Sequence, residues 1–401
     1  MAGVEREIGR RQLFFAIRDA RAVPRIELSD LTGISRATVT TITADLIREG
    51  LIEEVARPSD TQDGRRGRPR VDLKIRGDAR LVAGIKILNN EVSLVMFDFE
   101  GNQLAEHVVR LNKRIFEPDE LASNLARAVD ALAGLVGKTR KDLSGVGIGI
   151  AGIVDAAHGF VHWSPSLSEK NVEFADIVER RVGLPAYIDN DANLVAVAEK
   201  RFGLGKEHSD FIVVTIESGV GLGIVIGNEL YRGARGCGAE FGHTKVQLDG
   251  ALCRCGQRGC LEAYVADYAL LREASLVMRE TGTANETPDM QTLLAAARQN
   301  NQMAQSILRR AGRMFAMGLA NLVNVFDPEL IVLAGEQMQF DHLYSDEVMQ
   351  AMHSSIVQVD KPPPQVVTHK WGSLMWARGA ATYALDNVTL RALNGGEMYA
   401  A

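Results

Sequence analysis

GAEFGHTKVQLDGALCRCGQRGCLE, residues 238–262, is the stretch on which the reading of the whole chain turns. Its His243, Cys253, Cys255 and Cys260 fall within eighteen residues and include three of the protein's four cysteines. Zinc prefers four soft or borderline ligands in a tetrahedron, and one imidazole with three thiolates is a closed, structural set. Gly256 and Gly259 let the backbone fold back sharply, so that Cys260 comes round to face Cys253 and Cys255. The alternatives are small buried hydrophobes or a disulfide, and disulfides are rare in cytosolic proteins. A structural Zn2+ is therefore the expected cofactor, with His243, Cys253, Cys255 and Cys260 as its ligands.

Any fold that gathers these ligands also gathers two carboxylates, because Glu240 lies three residues before His243 and Glu262 two residues after Cys260. A histidine bound to a metal through one ring nitrogen keeps the other for donation to a neighbour. Carboxylates and an N–H donor round a polar cleft suit vicinal hydroxyl groups. The competing reading makes both glutamates supports for the metal or plain surface residues.

At 401 residues, with 46% hydrophobic and 24% charged residues, the chain has the composition of a globular protein of two or three domains. No apolar run approaches the roughly 20 residues needed to span a bilayer. The N-terminus has no signal-peptide pattern, so the cytoplasm is the expected compartment and no membrane partner is expected. The net charge of -6 is uneven: residues 1–70 hold 13 Arg against 11 Asp and Glu, and the acidic excess lies in the remainder. That asymmetry permits a nucleic-acid module on an acidic body.

The first seventy residues read as such a module. Leu13, Phe14 and Ile17 recur at helical spacing over Ile8–Arg18, and Ile26–Thr32 reads as a second helix stopped by Gly33. Ser35 is a good N-cap for a third helix from Arg36 to about Glu49. Val39, Ile42 and Leu46 share one face of it, while Ala37, Thr40, Thr41, Ala44 and Arg48 lie opposite. Small and hydroxylated side chains on an exposed second helix suit a helix-turn-helix entering the major groove. A packing module without DNA contacts is the alternative. Leu51–Val55 reads as a wing strand, and Thr61–Arg70, with four arginines, as a basic tip for a narrow minor groove. The expected DNA contacts are Ser35, Arg36, Ala37, Thr38, Thr40, Thr41, Arg66 and Arg68.

From Leu81 buried strands take over, at Val82–Ile87, Val92–Phe97 and Leu104–Val109. An amphipathic helix at Pro118–Val136 and a strand at Val146–Ile150 follow, which is the pattern of an α/β lobe. Asp189-Asn-Asp-Ala-Asn193 ends a strand and opens a helix, where an N-terminal capping role competes with a functional one. Glu217-Ser-Gly-Val-Gly-Leu-Gly223 follows the strand Phe211–Ile216, and spaced glycines of this kind mark tight turns as well as nucleotide sites. Ala311–Val323 is an apolar helix whose small residues permit close packing. Lys361-Pro-Pro-Pro364 leads to a last strand and helix, and the tail after Asn394 is expected to be disordered.

GIGIAGIVD (147–155), IDNDANLVAVAE (188–199), the Cys/His segment and LANLVNVFDPELIVLAGE (319–336) together resemble the ROK family of sugar kinases and sugar-responsive repressors, its Mlc/NagC-like and xylose-repressor members in particular. The resemblance spans most of residues 80–385. It implies a two-lobed actin-like ATPase body, sugar-kinase-like, with a ligand cleft between α/β lobes, behind a winged helix-turn-helix. The implied domains are 1–72 for DNA binding, 73–80 as linker, 81–188 with 372–401 as the first lobe, and 189–371 as the second lobe with the zinc site.

In ROK kinases the residue matching Asp191 takes the proton of the attacking sugar hydroxyl and Asn190 helps orient the sugar. The resemblance thus implies a sugar site of Asn190, Asp191, Glu240, His243 and Glu262. Two phosphate-loop features depart from the kinases. Gly84-Ile-Lys-Ile-Leu-Asn-Asn90 stands where Asp-x-Gly-Gly-Thr is expected, with Ile85 and Ile87 placed to obstruct phosphate, and Glu217 replaces a glycine and would repel polyphosphate. The expectation is a repressor that binds a sugar or sugar phosphate without phosphorylating it, working on operator DNA as a homodimer or dimer of dimers. The rivals are an active sugar kinase carrying a DNA-binding domain and a repressor controlled by protein docking.

Overall fold

Residues in the left-handed region mark the first turns of the structure, Arg21 after the first helix at φ 66° among them. In this computed structural model, which describes residues 2–56, 71–88, 90–281, 289–335, 342–370, 372 and 374–394, Gly33 sits at φ 71° and ends the second helix. The N-terminal elements are α1 (Ala2–Ala20), β1 (Val23–Pro24), α2 (Arg25–Thr32), α3 (Arg36–Arg48), β2 (Ile52–Ala56) and β3 (Val71–Ile75). Ser35 caps α3 by accepting from the Thr38 amide, satisfying one of the helix's orphan donors. Leu13, Phe14, Ile17, Leu28, Val39, Ile42 and Leu46 are buried, so the apolar faces of all three helices close on one core. β2 and β3 pair antiparallel and β1 adds to the far side of β3, giving the wing its sheet.

Arg10 grips Glu49 through both guanidinium nitrogens, at 2.6 and 3.1 Å, and Arg6 and Arg48 both reach Asp45. These contacts tie α1 to the end of α3. The stretch expected as a linker, residues 73–80, is instead structured. It holds the second half of β3 and a short 3-10 turn at Gly77–Ala79, because Leu73 and Ile75 are core residues of the wing sheet. The expected arginine tip, with Arg66 and Arg68, lies outside the described residues, as does the tail after Asn394.

The chain divides into two compact units, residues 1–189 with 377–401, and residues 190–376. The N-terminal elements belong to the first unit and are not separate from its sheet. That sheet contains β4 (Val82–Ile87), β5 (Glu91–Phe97), β6 (Gln103–Arg110), β7 (Gly145–Ile150) and β10 (Ala186–Asn190), in the order β10-β7-β4-β5-β6. Helix α4 (Pro118–Gly134) and helix α5 (Phe174–Val182) cover the sheet's core, and a small ribbon of β8 (Ile153–Asp155) and β9 (Phe160–Trp163) lies beside it. Ile85 and Ile87 are buried in this core, so they are packing residues and not obstacles at a ligand site.

Gly84 and Gly147 stand opposite each other on the paired strands β4 and β7. A β-carbon at Gly84 would lie 2.1 Å from the Ala377 carbonyl oxygen, and one at Gly147 would lie 1.9 Å from that of Ala380. The two glycines make the flat spot on which the C-terminal helix, α12 (Met375–Leu393), rests.

The second unit follows in chain order through α6 (Asp191–Phe202), β11 (Phe211–Ile216), β12 (Val220–Ile226), β13 (Glu229–Tyr231), α7 (Glu262–Val265), α8 (Asp267–Thr281) and α9 (Met290–Arg298). The long helix α10 (Gln302–Phe326), β14 (Leu330–Ala334), α11 (Asp346–His353) and β15 (Gln365–Thr368) complete it. Its sheet order is β13-β12-β11-β14-β15, with β11, β14 and β15 parallel and β12 antiparallel to β11. Gly221 and Gly223 lie in β12, where added β-carbons would come within 2.7 Å of the β-carbons of Ala192 and Ala196 on α6. The spacing that resembles a phosphate loop is, in this part, the seat of a helix.

Candidate functional site

The Cys/His segment is pinned as a small hairpin. Leu252 bridges to Arg258 and Lys245 to Cys260, while the Val246 amide donates to the Gly259 carbonyl. Gly256 and Gly259 have φ of 87° and 76°, and a β-carbon at Gly259 would lie 1.7 Å from the Gln247 carbonyl oxygen, so the turn requires glycine. Buried Tyr264 holds the hairpin's base by accepting from the Ala251 amide and donating to Gln247. From below, Gly318 of α10 lets Phe241 and Leu261 approach closely; a β-carbon there would lie 2.9 Å from each.

This turn brings the four expected ligands together. One donor atom each from His243, Cys253, Cys255 and Cys260 lies within 4.8 Å of every other, and this is a group among the described residues able to hold a metal ion. Cys255 and Cys260 sulfurs are 3.8 Å apart, and the Cys253 sulfur is 3.7 Å from His243 Nδ1. Round an ion with a nitrogen at about 2.0 Å and sulfurs at about 2.3 Å, tetrahedral N–S and S–S edges are about 3.5 and 3.8 Å, so the spacing of these two pairs suits a tetrahedral ion such as zinc. Among the described residues Cys253, Cys255 and Cys260 form no disulfide, so none competes with a metal. Burial pushes the Cys253 thiol up, a penalty a bound cation reverses, and the Lys245 ammonium lies 2.9 Å from the Cys260 sulfur.

His243 turns its Nδ1 to the thiols and its Nε2 to Glu240, whose Oε2 is 3.9 Å away. Burial, then the neighbouring charges of Glu262 and Asp191, push the Glu240 carboxyl up to about 7. Three carboxylates and one ring N–H therefore share one locality, all of them in the second unit. Asp191 opens α6, and Asn190 caps it, its Oδ1 accepting from the Ala192 amide at 2.8 Å. The capping role is real for Asn190, whose side-chain oxygen serves the first turn of α6.

Tyr268 was not singled out by spacing. Its hydroxyl lies 3.3 Å from Glu262 Oε1 and 3.6 Å from the Cys253 sulfur, and its ring carries the Arg254 guanidinium at 3.8 Å. Burial, with Cys253 and Glu262 adding to it, holds the phenol above the usual tyrosine range, so it keeps its proton. On α3, Ser35, Arg36, Ala37, Thr38, Thr40 and Thr41 are all exposed, with Ala44 and Arg48, opposite buried Val39, Ile42 and Leu46.

A sequence profile of the ROK family matches residues 82–387. The chain belongs to the ROK family. Among its relatives, a putative xylose repressor from Caldicellulosiruptor sp. (strain Rt8B.4) is 30% identical over 358 residues, 87% of this chain and 88% of the relative. A ROK family transcriptional regulator, a homologue of the E. coli Mlc protein, superposes over 98% of this chain and 97% of its own, with a TM-score of 0.81 at 23% identity, a likeness of fold. A ROK family glucokinase from Streptomyces griseus, solved with glucose and AMPPNP, covers 76% of this chain and 99% of its own, with a TM-score of 0.65 at 32% identity. The chain thus shares the fold of that regulator over nearly its whole length and the fold of the glucokinase over its body. Among the described residues no helix is long and apolar enough to cross a membrane.

Proposed function

We propose that this ROK protein is a sugar-responsive, DNA-binding transcriptional regulator, a repressor whose body binds a sugar or sugar phosphate and does not phosphorylate it. The observation that carries the reading is one chain holding both an exposed, hydroxyl-rich α3 beside a wing sheet and a second unit where the charges of Glu262 and Asp191 neighbour Glu240, whose carboxylate faces the Nε2 of His243. Small residues and hydroxyls on α3 suit a major groove, and the carboxylates suit sugar hydroxyls. The repressor relatives support the first half of the reading, and the glucokinase solved with glucose supports the second.

Zinc is the proposed ion for the four-ligand site, held by His243 Nδ1 and the three sulfurs; bound, it supplies a fixed positive charge and a cross-link that folding must otherwise do without. His243 then keeps its Nε2–H for a sugar hydroxyl or for Glu240, and the hairpin holds Glu262 beside them. Pairs of chains would serve palindromic operators. The retained Asp191 favours a second reading, an active sugar kinase. Against it stand the lost acidic and glycine pattern at 84–90 and the use of Gly221 and Gly223 as a helix seat.

Coupled ADP-release assays with Mg-ATP, run beside thermal-shift titrations on D-xylose, D-glucose, N-acetyl-D-glucosamine and their phosphates, separate the two. The regulator reading predicts a sugar-dependent rise in Tm with no ADP above background. Steady turnover abolished by Asp191→Asn would make the protein a kinase.

A further inference from the structure

We propose that Tyr268 is a positioning residue, through which the metal hairpin sets the carboxylate of Glu262 toward the sugar. The inference rests on the sugar reading of the preceding subsection and deepens it at one atom.

Glu262 Oε1, the Cys253 sulfur and the Tyr268 hydroxyl form a triangle with sides of 3.5, 3.6 and 3.3 Å. A sulfur bound to a metal is a thiolate and has no hydrogen to give, and a carboxylate has none either. The phenol then supplies the single hydrogen shared by two anionic acceptors, which would otherwise repel each other. The hairpin fixes where that hydrogen points. The Arg254 amide approaches the phenolic oxygen at 3.4 Å and its guanidinium stacks on the ring at 3.8 Å, so both come from the residue next to Cys253. The other oxygen of Glu262 faces the Val220 amide at 3.4 Å, which leaves the carboxylate held at both ends. Tyr268 reaches this point because the chain breaks at Ala266 between α7 and α8, bringing the first turn of α8 back over Glu262.

The test uses the full-length, zinc-loaded protein. Tyr268→Phe keeps the ring and its stack on Arg254 and removes only the hydroxyl. Calorimetric titration with D-xylose, D-glucose and N-acetyl-D-glucosamine is run on the wild type, Tyr268→Phe, Glu262→Gln and the double variant, with zinc content measured for each. Tyr268→Phe is expected to keep one zinc per chain and to weaken sugar binding about tenfold. The double variant is expected to be no weaker than Glu262→Gln alone, since the hydroxyl acts through that carboxylate.

Linkage gives a readout that a merely structural tyrosine would not move. Saturating sugar should slow chelator-driven zinc release in the wild type, and this protection should vanish in Tyr268→Phe. Wild-type affinity and retained protection in Tyr268→Phe, with binding lost in Glu262→Gln, would overturn the inference and leave the sugar reading standing. Absence of binding by the wild type to all three sugars would overturn both.

Discussion

Glu240 lies beside His243 of the candidate metal group and near Glu262 and Asp191, and its charge makes a prediction. Burial and the neighbouring carboxylates raise it to about 7 from an ordinary value of 4.5. A carboxyl raised on folding holds its proton in the native state while the unfolded chain has already lost it. Stability is therefore unaffected below about pH 4.5, falls as pH rises from there to about 7, and stays lowered above. In metal-stripped protein, Glu240→Gln should raise Tm at pH 8 and leave it nearly unchanged at pH 4.5. An equal shift at both values would contradict the carboxylate cluster. The gathering of His243, Cys253, Cys255 and Cys260 was legible in the sequence because such a hairpin is a local device, with its glycines and donors in one run. Tyr268 was not, because its reach to Glu262 depends on the chain break at Ala266, which no periodicity announces.

At the scale of elements, the reading of α3 was direct: Gly33, Ser35 and the alternation of apolar and small polar residues fix its ends and its exposed face. Ala37 tests that face. Aspartate near a helix N-terminus favours the helix, so Ala37→Asp should leave Tm within about 2 °C. Its charge against phosphate should weaken DNA binding by about tenfold or more, read by fluorescence anisotropy at fixed salt. Unchanged DNA affinity would show that α3 is not the reading helix. The glycines of 217–223 were the misleading element. Glycine is required alike where a phosphate nears the backbone and where a helix does, and only the fold reveals that Gly84 and Gly147 seat α12 and that Gly221 and Gly223 seat α6. Ile85 and Ile87, read as obstacles to phosphate, are ordinary core residues of β4 for the same reason.

At the scale of the molecule, the N-terminal helices do not hang from a linker. Buried Arg18 of α1 pairs with Asp386 of α12 at 2.7 Å, Phe14 packs on Phe99 with centroids 5.2 Å apart, and Lys74 of the wing reaches Glu100 at 3.1 Å. The Phe99 amide also donates to the Gly77 carbonyl across the expected linker. Arg18 and Asp386 lie 368 positions apart in the chain, which is why composition and spacing gave no hint of their pairing. The elements that would read DNA are thus packed onto the first unit through α12, Phe99 and Glu100. A sugar can alter DNA affinity only through unequal binding to two states of the protein, and the coupling runs equally in both directions. The most direct test is the anisotropy of a labelled duplex, selected by the protein from a random pool, titrated with the zinc-loaded protein in the presence and absence of the sugar that raises its Tm, with no ATP present. A sugar-dependent shift in DNA affinity without nucleotide is the predicted result; affinity indifferent to sugar until Mg-ATP is added, with ADP accumulating, would contradict it.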